Sequence, residues 1–262
     1  MMSETVHSIF NWFAERLLDL ARWPVNLVRD FPQRLTRVLM TLYLGLFGIV
    51  KFFRRTNQDK RSETSLFEDV AFWIHRLLTA LFDLIGGPEV VEFFLRLIAR
   101  STPLTGEEIG KVAEVFGPHG LRLGDVRITE GGLLENVIFR FNGNLAFATW
   151  HTVHLPLTGK HTRETWPLVM HELTHVYQYE NVGSRYLGEA IYMLIKTKRD
   201  CYNYGRKEGL QEAINVGKQY RSYNREQQAM IVQDFVAYCE AGREAETAVY
   251  QPFLEQLRER QL

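Results

Sequence analysis

The tightest constraint on this chain is the run His171-Glu172-Leu173-Thr174-His175, set within TWPLVMHELTHVYQYENVG at residues 165–183. Two histidines at i and i+4 share one face of a helix. Their Cβ atoms are then about 6 Å apart, close enough for two imidazoles to hold one metal ion. Glu172 follows the first histidine directly, so its carboxylate can enter the same cleft and act on a water held by that metal. Local signals frame the helix: Thr165 as N-cap, Pro167 in the first turn and Gly183 at the end. Leu168, Val169, Met170, Leu173, Thr174 and Val176 are uncharged, the character of a buried helix rather than a solvated one. The competing reading is a helix with two packed histidines and one surface glutamate.

Composition narrows the setting. At 262 residues, 46% apolar and 13% aromatic, the chain can build one large core or two small ones. Its 31 basic and 31 acidic residues cancel, so nothing in the overall charge calls for nucleic acid as a partner. The two cysteines, Cys201 and Cys239, lie far apart and fit a reducing, cytoplasmic body. The first residues, MMSETVHSIF, carry an acid and no basic run, so no secretory signal is expected.

Taken in order, residues 4–53 are unusually apolar. Ile9, Phe10, Trp12, Phe13, Leu17, Leu18 and Leu20 predict an amphipathic helix that ends near Trp23-Pro24, and a second helix follows Pro32. Within the second, Val38–Val50 holds thirteen uncharged residues between Arg34 and Arg37 on one side and Lys51, Arg54 and Arg55 on the other. As a helix that stretch measures about 20 Å, short of the ~30 Å hydrocarbon core of a bilayer. Packing in a core or against partner helices comes first for residues 4–53, a membrane surface second and a span last. A surface helix would make the chain a peripheral protein of the inner membrane. Residues 55–65 read as a polar linker. Phe67–Leu84 and Glu89–Ala99 read as a helical hairpin turned at Gly86-Gly87-Pro88.

Beyond Thr102-Pro103 the composition changes. Thr105 can cap a helix over Gly106–Phe116, and Val126–Thr129 reads as a strand. Val137–Phe141 alternates apolar residues and meets Leu145–Trp150 through Asn142-Gly143, which predicts a β-hairpin and a small antiparallel sheet. His151 and His154 then close the sheet and His161 sits in a loop. H-x-x-H on a strand does not share a face, so no second metal site is expected, and solvated histidines are. From about Glu240 the chain reads as a polar amphipathic helix, a solvent-facing lid.

HELTH, with Gly188-Glu189-Ala190 fourteen residues on, resembles the gluzincin metallopeptidases of the thermolysin type. HELTHVYQYE and NREQQAMIVQDF also resemble bacterial HELTH-containing domains associated with contractile-injection and toxin systems. The likeness runs from about Thr102 to Phe235. It implies Zn2+, hydrolysis of a peptide or protein substrate, and a glutamate on the next helix as third zinc ligand.

Two glutamates compete for that place. Glu189 falls on a helix starting near Ser184, at a depth matching His175 across Gly183, beside Tyr186, Ala190 and Met193. Glu226 lies in YNREQQAMIVQDF, where Asn224 and Gln227 form a capping box and a first-turn acid is common for dipole reasons alone. Glu189 is therefore preferred as metal ligand beside His171 and His175, with Glu226 as the alternative. The acid that thermolysin-like enzymes carry four residues after the ligand is absent, since position 193 is Met, and Asp234 is a candidate for orienting a ligand histidine. Tyr202 and Tyr204 are either packing residues or donors to a tetrahedral oxyanion.

The expected architecture is α+β: an apolar helical region over residues 1–100, then a zincin-like domain over 101–262. The leading reading is a zinc peptidase with Glu172 activating the water. The rival is a non-catalytic metal-binding scaffold that docks to a membrane or a secretion or injection apparatus.

Overall fold

A computed structural model describes residues 2–54, 63–99 and 101–262 of the chain. Contacts divide it into two units: residues 1–97 with the short turn 183–185, and residues 98–182 with 186–262.

The first unit is a helical bundle. Helix α1 runs unbroken over Met2–Arg54, with Pro24 and Pro32 inside it. The sequence predicted a break at these prolines. Each removes one backbone hydrogen bond, yet the helix continues through both, with Asp19 paired to Arg96 before them and Arg34 paired to Glu89 after them. Helix α2 (Glu63–Leu84) returns against α1, and α3 (Gly87–Ile98) meets α1 through the ion pairs Arg34–Glu89 and Asp19–Arg96. Residues 63–65, expected in a linker, form the first turn of α2, and 55–62 lie outside the described residues. Gly86 turns the chain at a φ of +77°, and a Cβ there would also press on Trp23 and Leu27 of α1. The bundle is cross-linked by buried charge. Arg34 pairs with Glu89 and donates to the Asp83 carbonyl at 2.6 Å, while Arg96 reaches both Asp19 and Glu92. Asp83 also accepts from the backbone and hydroxyl of Ser184, which ties the 183–185 turn to this unit.

The second unit is α+β. It begins with strand β1 (Ser101–Thr102) and helix α4 (Gly106–Phe116), whose expected N-cap, Thr105, forms a capping box with Glu108. Strand β2 (Arg127–Glu130) follows, then helix α5 (Leu133–Asn142), β3 (Phe147–Thr149) and β4 (Thr152–Leu155). The sheet order is β1-β2-β4-β3, and the central β2–β4 pair is parallel. The expected hairpin and purely antiparallel sheet are thus corrected. Residues 137–141 are helical, and Gly143 is the left-handed C-cap of α5 at φ +80°. A parallel pair needs a crossover longer than a two-residue turn, and α5 supplies part of it.

Helix α6 (Trp166–Val182) is the centre of this unit. It packs against β3 and β4 and against α9 (Arg225–Glu240). Val169, Met170, Leu173, Val176 and Tyr177 are fully buried, which accounts for a helix apolar on several faces. Gly183 ends α6 at φ +77°, and α7 (Arg185–Thr197) and α8 (Arg206–Asn215) follow. The chain closes with α10 (Glu244–Thr247) and α11 (Gln251–Arg258). Tyr250, Phe253, Leu254 and Leu257 are sealed in the core, and the Tyr177 hydroxyl donates to the Leu257 carbonyl. The expected solvent-facing lid is therefore part of the core.

Among the described residues no helix is long and apolar enough to cross a membrane.

Candidate metal centre

His171 and His175 sit one turn apart on α6, both buried, with ring centroids 5.0 Å apart. Helix α9 lies along α6, and its first turn brings Glu226 over them. Oε2 of Glu226 is 3.3 Å from Nε2 of His171 and 3.5 Å from Nε2 of His175. The three form a group that could hold a metal ion, with one donor atom from each within 4.8 Å of the others. The Asn224–Gln227 capping box predicted from sequence is present. It fixes the start of α9, so the first-turn position of Glu226 serves the cluster and the helix end together.

Glu189, the acid preferred from sequence, is not in this group. Its carboxylate takes Nε of Arg225 at 2.8 Å. Matching depth along two helices says nothing about rotation about each axis, and on α7 that rotation gives Tyr186 the place next to His175. The Tyr186 ring stacks on the His175 imidazole at 6.1 Å, and its hydroxyl bridges the Ala148 carbonyl and the Trp150 amide of the β3–β4 turn.

The two histidines are held unequally. Nδ1 of His175 donates to Oε1 of Gln178 at 2.9 Å. Gln178 is itself fixed by donating to the Arg225 carbonyl and the Gln228 side chain, both at 3.0 Å. Gln228 in turn donates to the carbonyls of Tyr220 and Tyr223. Nε2 of His175 is therefore the nitrogen turned to Glu226. Nδ1 of His171 is buried without a hydrogen-bond partner. Sequence reasoning gave the orienting role to Asp234, but that carboxylate accepts from the Tyr204 hydroxyl. Gln178 was missed because a glutamine three residues after a histidine has no distinctive pattern.

Electrostatics follow from burial. Burial opposes ionisation of Glu226, but His175 and His171 outweigh it and hold the carboxyl well below its usual range. Burial likewise disfavours a charged His175, yet Glu226 beside it pushes the imidazole up to about 9. Glu172 is completely enclosed, and burial raises its carboxyl while His171 and His175 pull it back. Each pair of opposite charges stabilises the other in a place that water does not screen.

The remaining candidates separate cleanly. Tyr202 lies with its ring 6.3 Å from that of His171, and burial with the charge of Glu226 keeps its hydroxyl protonated. Tyr204 is a packing residue, bonded to Asp234 and to Tyr250. His161, half-buried, has a ring nitrogen without a partner, and burial followed by the charge of His171 lowers its basicity. His151 and His154 are buried, contrary to the expected solvated loop. His151 meets Glu180 at 3.1 Å, and His154 is enclosed by Glu135, Thr129 and Thr149. Both cysteines are free thiols.

In comparisons with known proteins, no family model matches the chain, and no curated protein and no solved structure matches it.

Proposed function

We propose that the chain is a zinc-dependent peptidase. One observation carries the reading: His171, His175 and Glu226 turn their donor atoms to one point, with Glu172 enclosed beside them. Two imidazoles and one carboxylate from two neighbouring helices are the donor set of an open zinc site, in which a fourth position is left for water or substrate. The orientation of His175 by Gln178 supports the same reading, since a ligand imidazole needs its other nitrogen satisfied.

Zinc bound there would polarise a substrate carbonyl and make a nucleophile of water at neutral pH. The protein's own residues do the rest. Glu172 takes the proton of the attacking water and returns it to the leaving amine, a transfer suited to a carboxyl whose burial brings its pKa up. Tyr202, kept protonated, offers a hydrogen bond to the oxygen on which charge develops. Packing of α6 between the sheet and α9 keeps bulk water from these groups.

Purified protein should contain about one zinc per chain by elemental analysis, and His171→Ala and His175→Ala should lose it. Hydrolysis of a peptide library should follow zinc content. Full zinc retention in the double variant would end this reading. The rival, a metal-binding scaffold, shares the three ligands but gives Glu172 no chemical task, so zinc without hydrolysis of any peptide would favour it.

A further inference from the structure

We propose that α1 docks the protein on an anionic lipid surface through its segment from Leu39 to Phe47. Every residue of that segment except Thr41 and Gly45 is large and apolar or aromatic, and each of these is 39–65% exposed. Helix α2 covers only the line between the two exceptions. The Trp73 indole donates to the Thr41 carbonyl at 2.8 Å and lies where a Cβ on Gly45 would stand. At about 100° per residue, the uncovered side chains fan over roughly 200° of the helix. Val70, Ile74 and Leu78 of α2, 45–61% exposed, extend the apolar surface.

The width of the fan selects the occupant. A second copy of this helix would cover a narrow seam of about two positions in seven. Hydrocarbon has no seam and wets every face offered to it. The segment is about 14 Å long, well under the ~30 Å of a hydrocarbon core, so it enters a surface without crossing. Tyr43, stacked on Phe47 with centroids 6.3 Å apart, is a residue type that settles at the headgroup boundary, and Phe47 belongs to the apolar face beneath it.

Charge gives the lipid its sign. The chain is neutral overall, yet residues 20–61 contain nine basic residues and two acids, Asp30 and Asp59. Arg34 and Arg37, before the apolar segment, are engaged by Glu89 and Asp83 within the bundle, whereas Lys51, Arg54, Arg55, Lys60 and Arg61 follow the segment in sequence. Glu63, Glu68 and Asp69 come after this run, at the start of α2. A basic run directly following a short apolar helical segment suits a surface of anionic phospholipid. The proposal is independent of the metal centre.

Vesicle flotation of the full chain tests it, with phosphatidylcholine alone and with phosphatidylcholine mixed with phosphatidylglycerol. The protein should float with the mixed vesicles and weakly or not at all with phosphatidylcholine. Leu42→Glu with Leu46→Glu, at exposed sites, should keep the melting temperature and lower binding at least ~10-fold. Lys51→Glu with Arg54→Glu should lower it by a similar factor, and added salt should do the same to the unaltered chain. Failure to float with mixed vesicles overturns the proposal, as does equal flotation with both lipids. So does a stable dimer, seen by light scattering, that Leu42→Glu with Leu46→Glu dissolves.

Discussion

Gln178 holds His175 by a 2.9 Å hydrogen bond to Nδ1, from a position one turn further along the same helix. The ring cannot rotate without stranding a fully buried amide, because Gln178 is fixed in turn by Arg225 and Gln228 on α9. Gln178→Leu removes the acceptor while keeping the bulk. It should weaken zinc binding by ~10- to 100-fold, the range for loss of a group that orients a ligand. Gln178→Glu restores an acceptor and should recover much of that affinity. Competition with a chromophoric chelator measures both, and unchanged affinity in Gln178→Leu would remove the residue from the site.

Exchanging the two glutamates is the direct test of the third ligand. Glu226→Gln should abolish stoichiometric zinc, since an amide is a far poorer ligand than a carboxylate. Glu189→Gln should keep it. Its expected cost is stability, because it leaves Arg225 partly buried without its carboxylate, at about 1–3 kcal/mol. Zinc content and thermal denaturation separate the two effects. Zinc lost from Glu189→Gln and kept in Glu226→Gln would reverse the assignment.

The helix at residues 166–182 was legible because Pro167 at its start and Gly183 at its end agreed with the uncharged residues on either side of the motif, although the Thr165 hydroxyl donates to the Lys160 carbonyl. The choice of acid was not legible. Sequence spacing gives distance along a helix, whereas the cluster depends on how α9 is rotated against α6, a property of the packed pair. Asn142-Gly143 misled for a related reason. A glycine at positive φ serves a type I′ turn and a helix C-cap equally, and Glu135 and Phe139, both buried on α5, lie i and i+4 apart as well as on one face of a strand. What decided it was the parallel pairing of β2 with β4, which local sequence does not encode. Pro24 and Pro32 were overread in the same way, since α1 runs through both while meeting α2 and α3 through contacts on either side of them.

Glu180 gives the second unit an acid-sensitive tether. It accepts from the Arg122 amide at 3.1 Å, and Arg122 and His151 lie beside its carboxylate. Asp125 faces Arg122 as well, and Tyr177 on the same helix feels the charge of Glu180. Burial works against that charge, but His151 and Arg122 outweigh it, so the folded pKa lies below the ordinary 4.5. A depressed carboxyl stabilises the fold fully above its unfolded pKa and loses that contribution as pH falls through the folded one. Stability should therefore drop as pH falls from about 4.5. Glu180→Gln should be less stable at neutral pH and show a flatter profile through that window. Parallel profiles for the two proteins would exclude Glu180 as a source of the acid sensitivity.

The final test separates chemistry from metal holding, using two residues that lie beside the cluster without belonging to it. Glu172→Gln keeps the size and hydrogen bonding of the side chain but cannot take a proton. It should leave zinc content and melting temperature nearly unchanged and lower peptide hydrolysis at least ~10²-fold, the scale of a lost general base. Tyr202→Phe keeps the ring beside His171 and removes only the hydroxyl. If that hydroxyl meets charge that develops in the transition state, kcat should fall ~10- to 10²-fold while KM moves little. Tyr204→Phe is the control, since its hydroxyl serves Asp234 and Tyr250 in the core. It should cost about 1 kcal/mol of stability and leave kcat alone. A Tyr202→Phe variant with full kcat would return that residue to packing, and full hydrolysis by Glu172→Gln would remove the proposed base from the mechanism.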